Sequence, residues 1–266
     1  MRHAAIWRRP DSATLLALVL AALAAVCPAH ATSLQITPVR IDLPAGAGAA
    51  ALTLRNQGNT PIHAQVRVFR WTQDTGSDAL AATEEIVASP PIVRIPGGSD
   101  QLVRIVRPAR ADAGAHHAGA SDAGISAAGE SAYRLLIDEL PAPGATPDAS
   151  GVRLQLRYSV PVFAGTPSTT APPPLRLNLW RDGSEGGWTL AVRNAGQRHA
   201  RLSDIALVNG GQRINVGSGL FGYALPGAVR VWKINLPASF APAATMRLDG
   251  AVNGEPQSLP VTAGRP

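Results

Sequence analysis

From Val152 to Phe163 (VRLQLRYSVPVF) the chain alternates almost without a break. Val152, Leu154, Leu156, Tyr158, Val160 and Val162 fall on one side; Arg153, Gln155, Arg157, Ser159 and Pro161 fall on the other, until Phe163. A period of two belongs to a strand and not to a helix. A strand that is apolar on one side needs a second surface to cover it. The same pattern returns in Ile62–Thr72 (IHAQVRVFRWT), Gln101–Arg107 (QLVRIVR) and Tyr133–Leu140 (YRLLIDEL). Between such runs stand clusters of Pro, Gly and Asn, and the chain holds 26 glycines and 23 prolines. Short alternating runs with frequent turns predict an all-β fold built of sandwiches.

Prolines set further limits. Leu34-Gln35-Ile36 alternates, Thr37-Pro38 breaks the phase, and Val39, Ile41 and Leu43 resume it. Proline inside a strand belongs at an edge or a bulge, so this first strand is expected at an edge, bent or switching sheets at Pro38. Ile86–Ile95 (IVASPPIVRI) is a strand interrupted by Pro90-Pro91. Ala164–Pro174 (AGTPSTTAPPP) reads as a stiffened linker. Beyond it come further short strands, among them Leu175–Trp180, Trp188–Arg193, Ala200–Val208 and Val229–Leu236. The expected organisation is therefore residues 1–31 as a leader, 32–163 as a first domain, 164–174 as a linker and 175–266 as a second, smaller sandwich.

The leader is read from Arg2, Arg8 and Arg9, the apolar run Ala13–Val26, and the small-x-small site Ala29-His30-Ala31. It predicts export, with the mature chain starting at Thr32. Cys27 is the single cysteine and leaves with it, so no disulfide is expected. No other stretch is apolar enough to span a bilayer, which predicts no membrane insertion of the mature chain.

Enzyme chemistry is not legible. The mature chain has no cysteine nucleophile and no Gly-rich phosphate loop opening a helix. The carboxylate pairs Glu84-Glu85 and Asp138-Glu139 are neighbours that a strand sends to opposite faces. His116-His117 sit in the Ala/Gly-rich stretch Ala109–Gly129, expected to be a mobile loop, without a third ligand nearby. No cofactor and no metal are expected. The formal charge is +6, and Lys233 is the only lysine. The arginines are interleaved with apolar residues and form no block, which argues against nucleic acid.

Several stretches together resemble the periplasmic chaperones of the chaperone–usher pilus pathway. They are Thr37–Gly46 (TPVRIDLPAG), Asn56-Gln57-Gly58 with Val66–Trp71 (VRVFRW), Ala88–Arg107 (ASPPIVRIPGGSDQLVRIVR) and Glu130–Pro141 (ESAYRLLIDELP). In the second half, Arg193–Ser203 (RNAGQRHARLS) and Gly219–Trp232 (GLFGYALPGAVRVW) are similar to the archaic, Csu-like branch. The resemblance implies two immunoglobulin-like β-sandwich domains in a boomerang arrangement, the PapD-like fold. It implies a periplasmic chaperone, not an enzyme, that completes a pilus subunit by donor-strand complementation and delivers it to an outer-membrane usher. The donor side chains implied are Val152, Leu154 and Leu156, with Val160 and Val162 turned to the domain's own core or to the hinge. The subunit's terminal carboxylate is implied to sit on Arg40. The second cation of the better-known branch falls at Ser159, which carries no charge, leaving Arg157, Arg134 and Arg104 as replacements. Leu136 and Ala142 also depart from that branch. A pilus structural subunit or adhesin using strand exchange is the competing expectation, and self-association through the free edge strand is a further one.

Overall fold

The computed structural model describes residues 34–108, 129–141, 155–167, 171–183 and 186–266. The Ala109–Gly129 stretch, apart from Gly129, lies outside them, and so do His116-His117, Val152 and Leu154.

The first lobe holds β1 (Leu34–Thr37), β2 (Ile41–Pro44), β3 (Ala49–Asn56), β4 (Ile62–Thr72), β5 (Ala79–Ala82), β6 (Val87–Ser89), β7 (Ile92–Ile95), β8 (Asp100–Val106), β9 (Ser131–Leu140) and β10 (Arg157–Thr166). They make two sheets. One runs β1-β3-β8-β6; the other runs β2-β10-β9-β4-β5, with β7 also on β4. Alternation decides what lies between the sheets. Leu52, Leu54, Val103 and Ile105 from the first sheet meet Ala64, Val66, Leu135, Ile137, Val160 and Val162 from the second in one buried core. Each such side chain contributes about 1.5–3 kcal/mol on burial.

Both proline breaks are sheet changes. β1 pairs antiparallel with β3, and after Pro38 the chain crosses over so that β2 pairs parallel with β10. β6 pairs with β8, and after Pro90-Pro91 β7 pairs with β4. Proline lacks the N–H that a continuous ladder requires, so the strand leaves one sheet there and joins the other.

The second lobe holds β11 (Leu175–Arg181), β12 (Trp188–Asn194), β13 (Ala200–Asn209), β14 (Gln212–Ala224), β15 (Val229–Ile234), β16 (Met246–Val252) and β17 (Glu255–Ala263). Their ladder runs β14-β13-β16-β17-β11-β12-β15. It curls until its ends meet: Phe221 on β14 and Trp232 on β15 pack at 5.0 Å. Gly222 permits this approach, because a Cβ there would stand 2.8 Å from the Trp232 ring. The fold is all-β in two sandwich domains.

The expected strand Val152–Phe163 requires correction at one end. β10 runs past Phe163 to Thr166, so the first residues of the expected linker are sheet. Ala164 is buried and pairs with both Ser131 and Leu43. A Pro/Gly/Thr-rich stretch gives no sign of this, because the parallel partner that holds it comes from the other end of the domain.

Candidate functional site

β10 is not an edge along its whole length. Its second half is covered by β2 at Val162–Thr166 on one side and by β9 as far as Ala164 on the other. Among the described residues its first half, together with Leu156, has only β9 beside it: Glu139 N–H donates to Leu156 O at 3.0 Å and the antiparallel register continues from Arg157. Leu156 therefore directs its backbone groups towards β9. Arg157, Ser159 and Pro161 direct theirs the other way, along an edge that β2 has not yet reached. Arg157 and Ser159 present N–H and C=O there; Pro161 presents only C=O.

Side chains follow the same alternation. Val160 and Val162 lie in the core, and Tyr158 packs against it. Leu156 lies on that same side, but beyond the core, and is 43% exposed. It is an apolar side chain on a strand with an open edge. Burial raises the Tyr158 phenol, as do the charge and hydrogen bond of Glu139.

The opposite face of the sheet carries the charged candidates. Arg40 stands one residue before Ile41, whose register partner is Val162, so Arg40 marks the point where β2 takes over the edge. Its Nε donates to Asp42 Oδ2 at 2.9 Å. Arg134 is paired with Pro161 across the ladder. Its guanidinium carbon lies 3.7 Å from the Trp71 ring centroid and 5.6 Å from that of Tyr223. Burial holds Arg134 below its ordinary value, against the opposing pull of Asp78 and Tyr223. Strands lie about 4.8 Å apart, so Arg134 and Arg40 flank Pro161 at about two strand spacings.

Arg157 is engaged elsewhere: it ion-pairs with Asp138, which also accepts from Arg67 Nη2 at 2.7 Å. Arg104 is not brought to this face at all. It lies on β8 in the other sheet, opposite Ala51 and Ser89, on the side turned away from the core. The alternation of Gln101–Arg107 shows that Arg104 points outward, but not which sheet it points out from.

Below Arg134 the same face becomes the joint between the lobes. Trp71, Ala132 and Phe163 pack with Tyr223 and Leu225 of the second lobe. His199 stacks on Phe163 at 3.6 Å, nearly parallel, and both its backbone N and its Nδ1 reach Glu130 Oε1, at 3.0 and 2.6 Å. A carboxylate acceptor fixes the tautomer with the proton on Nδ1. Gln73 Nε2 donates to Tyr223 O at 2.9 Å while its Oε1 accepts from Leu225 N–H at 2.9 Å. The β4–β5 turn closes the contact: Gly76 O accepts from Val231 N–H, and a Cβ at Gly76 would stand 2.9 Å from Val231 Cγ2.

Sequence reasoning missed Tyr223, His199 and Phe163 as site neighbours. Tyr223 is the second-lobe wall beside the arginines. Burial raises its phenol, opposed by Arg134, Arg201 and Arg40. The break in alternation at Phe163 was the one available signal, since an apolar residue on the polar side of a strand marks a second covered surface.

The same fold is found in solved chaperone structures. The chain superposes on a chain of the CsuC–CsuE chaperone–tip adhesion subunit pre-assembly complex from archaic chaperone-usher Csu pili of Acinetobacter baumannii, with a TM-score of 0.65 and 24% identity. That match covers 88% of this chain and 100% of that one. The E. coli chaperone DraB matches with a TM-score of 0.53 and 20% identity, over 88% of this chain and 97% of that one. In sequence, the chain is 29% identical over 175 residues to the chaperone protein FimB/FhaD of Bordetella pertussis, spanning 62% of this chain and 65% of that relative. The profile described as "Pili and flagellar-assembly chaperone, PapD N-terminal domain" matches residues 33–169. The chain belongs to this family of pilus-assembly chaperones.

Proposed function

We propose that this chain is a periplasmic, non-enzymatic chaperone of the archaic Csu-like branch. It captures a pilus subunit by lending it a strand and passes it to an outer-membrane usher. The observation that carries the reading is the half-open strand: among the described residues β10 has one neighbour until Val162, where β2 joins β9 beside it. A subunit strand adding to the free edge at Leu156–Pro161 gains main-chain hydrogen bonds in line with β2, while alternate side chains fill its groove. The donor side chains are Val152, Leu154 and Leu156. The first two lie outside the described residues and are assigned by alternation; the exposure of Leu156 supports the third.

A subunit strand running along that edge ends where β2 begins, at Arg40. We assign its terminal carboxylate to Arg40 and Arg134, with the Tyr223 ring as the floor. Arg134 is preferred over Arg157, which is bound to Asp138, and over Arg104, which belongs to the other sheet. The working units are then 32–166 and 175–266, with the boundary between Thr166 and Leu175.

The test is capture. Wild-type chaperone co-expressed with a subunit from the same gene cluster should copurify with it. Leu156→Arg, and separately Leu154→Arg, should abolish copurification while the circular dichroism spectrum stays that of the wild type. Arg134→Ala should weaken capture by about 2–5 kcal/mol, the range for removing one partner of a buried charge pair. Undiminished capture by both leucine variants would place the donor residues elsewhere.

A further inference from the structure

The wall of the β2-β10-β9-β4 sheet that faces away from the core continues upward from the joint, and among the described residues no strand covers it there. Among the described residues of β4, β7, β9 and β10 its charged side chains are Arg67, Arg94, Arg134 and Arg157 against one carboxylate, Asp138, and β2 adds the Arg40–Asp42 pair. The outward face of the other sheet is unlike it. There Arg55 is neutralised by Asp100 at 3.0 Å, and exposed Leu102 lies beside Arg104. Arg104 leaves a smaller excess there, so of the two outward faces of the first lobe the one beside the open edge of β10 is the more cationic.

The arrangement is organised. Arg157 and Asp138 are direct cross-strand partners, and Arg67 reaches the same carboxylate from the third strand at 2.7 Å. Arg67 also lies 5.5 Å from the Phe69 ring centroid. Burial raises the Asp138 carboxyl, but the hydrogen bonds from Arg157 and Arg67 outweigh it and hold the group below the usual carboxylate range. Each guanidinium carries five N–H donors in a rigid fork, and the bonds to Asp138 engage Nε of Arg157 and Nη2 of Arg67. The remaining donors of both forks stand on an exposed surface, with side-chain exposures of 62% and 42%. One buttressing carboxylate fixes two half-used cations, a geometry that receives further carboxylates.

We infer that this wall is a receptor for an acidic surface patch on the captured subunit, with Arg67, Arg94 and Arg157 as its contacts and Asp138 as the residue that positions them. The inference rests on β10 being the donor strand. A subunit completed on that edge is held against this wall, so acidic groups on it meet the arginines as docking proceeds. Complementary charge acts chiefly on the rate of encounter and is screened by salt, the Debye length being about 8 Å at physiological ionic strength.

The experiment measures association of purified chaperone with a subunit from the same gene cluster, by stopped flow, at low and high ionic strength. Arg67→Glu/Arg94→Glu should slow association about tenfold or more at low salt, and the difference should close at about 0.5 M salt. Dissociation should change little. The neutral pair Arg67→Gln/Arg94→Gln should fall between the two and guards against a folding defect. If Leu156→Arg abolishes capture while the charge reversal leaves rate and salt dependence unaltered, the acidic-patch inference falls and the donor strand stands. If Leu156→Arg captures normally, the donor reading itself falls. If the reversal instead removes binding to anionic phosphatidylglycerol vesicles without altering capture, the wall reads lipid and the inference is overturned.

Discussion

The two sandwiches share a turn, and they use it differently. In the first lobe buried Asn56 donates through Nδ2 to Thr60 O (2.7 Å) and Ile95 O (3.0 Å), and its Oδ1 accepts from Gly58 N–H (2.9 Å). In the second, buried Asn194 donates to Arg198 O (2.7 Å) and Ala224 O (2.9 Å), and accepts from Gly196 N–H (2.9 Å). Each asparagine clamps a Pro-Gly turn: Asn56 N–H bonds Ser99 O after Pro96-Gly97-Gly98, and Asn194 N–H bonds Ala228 O after Pro226-Gly227. In the second lobe the clamped segment also supplies Tyr223 and Leu225 to the joint, where Gln73 reads their backbone. One device therefore closes a turn in the first lobe and, in the second, builds the contact that fixes how the lobes meet.

Their last strands diverge as well. β17, like β10, is antiparallel to the strand before it and joined in parallel by a strand from the start of its lobe, β11 for β17 at Val261–Ala263 only and β2 for β10. Both leave a stretch of free edge. Gly264 N–H donates to Leu179 O, so Pro256, Ser258 and Pro260 turn their backbone to that same open side. Two of the three lack an N–H, and the Ser258 hydroxyl donates to Asp249. Prolines at an edge prevent another strand from adding. The free edge of β10 has N–H groups at both Arg157 and Ser159. The comparison teaches that an open edge alone is ordinary; the unblocked one is the edge we propose as the site.

The largest effect should come from the shared turns. Asn56→Ala and Asn194→Ala each leave two carbonyls and an N–H without their partner, at a cost of about 3 kcal/mol. Denaturant unfolding should show both losses. Capture at a denaturant-free temperature where both variants are folded should suffer more for Asn194→Ala, because that turn carries the joint. Equal losses of capture would break the distinction.

A smaller effect separates the lobes by pH. Tyr133 donates to Glu85 Oε2 at 2.6 Å, and Arg70 Nη1 donates to the same oxygen at 2.5 Å. Burial, reinforced by the bond to Glu85 and opposed by Arg70, pushes the phenol from 10.0 up to about 12. A group raised on folding holds its proton more tightly in the folded state, so its stabilisation is full below pH 10 and is lost as pH climbs towards 12. The loss should amount to about 2 kcal/mol. Tyr133→Phe should flatten the alkaline limb of the stability profile over that window, and an unchanged slope would show that the first lobe does not depend on this proton.

The smallest effect concerns the edges. Pro256→Ala/Pro260→Ala restores two N–H groups to β17 and should promote concentration-dependent self-association, measured by sedimentation velocity, with stability altered by less than about 1 kcal/mol. The mirror change, Ser159→Pro, should reduce capture about tenfold or more while leaving the fold intact. A monomeric double variant would show that prolines are not what keeps β17 inert.

Period-two alternation, turn residues and prolines are local properties, and they determined much of this protein by themselves. The all-β class, the strand breaks at Pro38 and Pro90-Pro91, and the shared side of Val160 and Val162 follow from side-chain direction and from the missing proline N–H. The resemblance carried by stretches such as Thr37–Gly46 and Glu130–Pro141 pointed to the family. The pairing of strands distant in sequence was decided only by the tertiary structure. It placed Arg104 on the other sheet, bound Arg157 to Asp138, set Arg134 between Trp71 and Tyr223, and left β10 open over half its length. The same arginine–apolar alternation describes all of these arginines, and which of them faces a joint, a partner or solvent depends on neighbours that only the folded chain supplies.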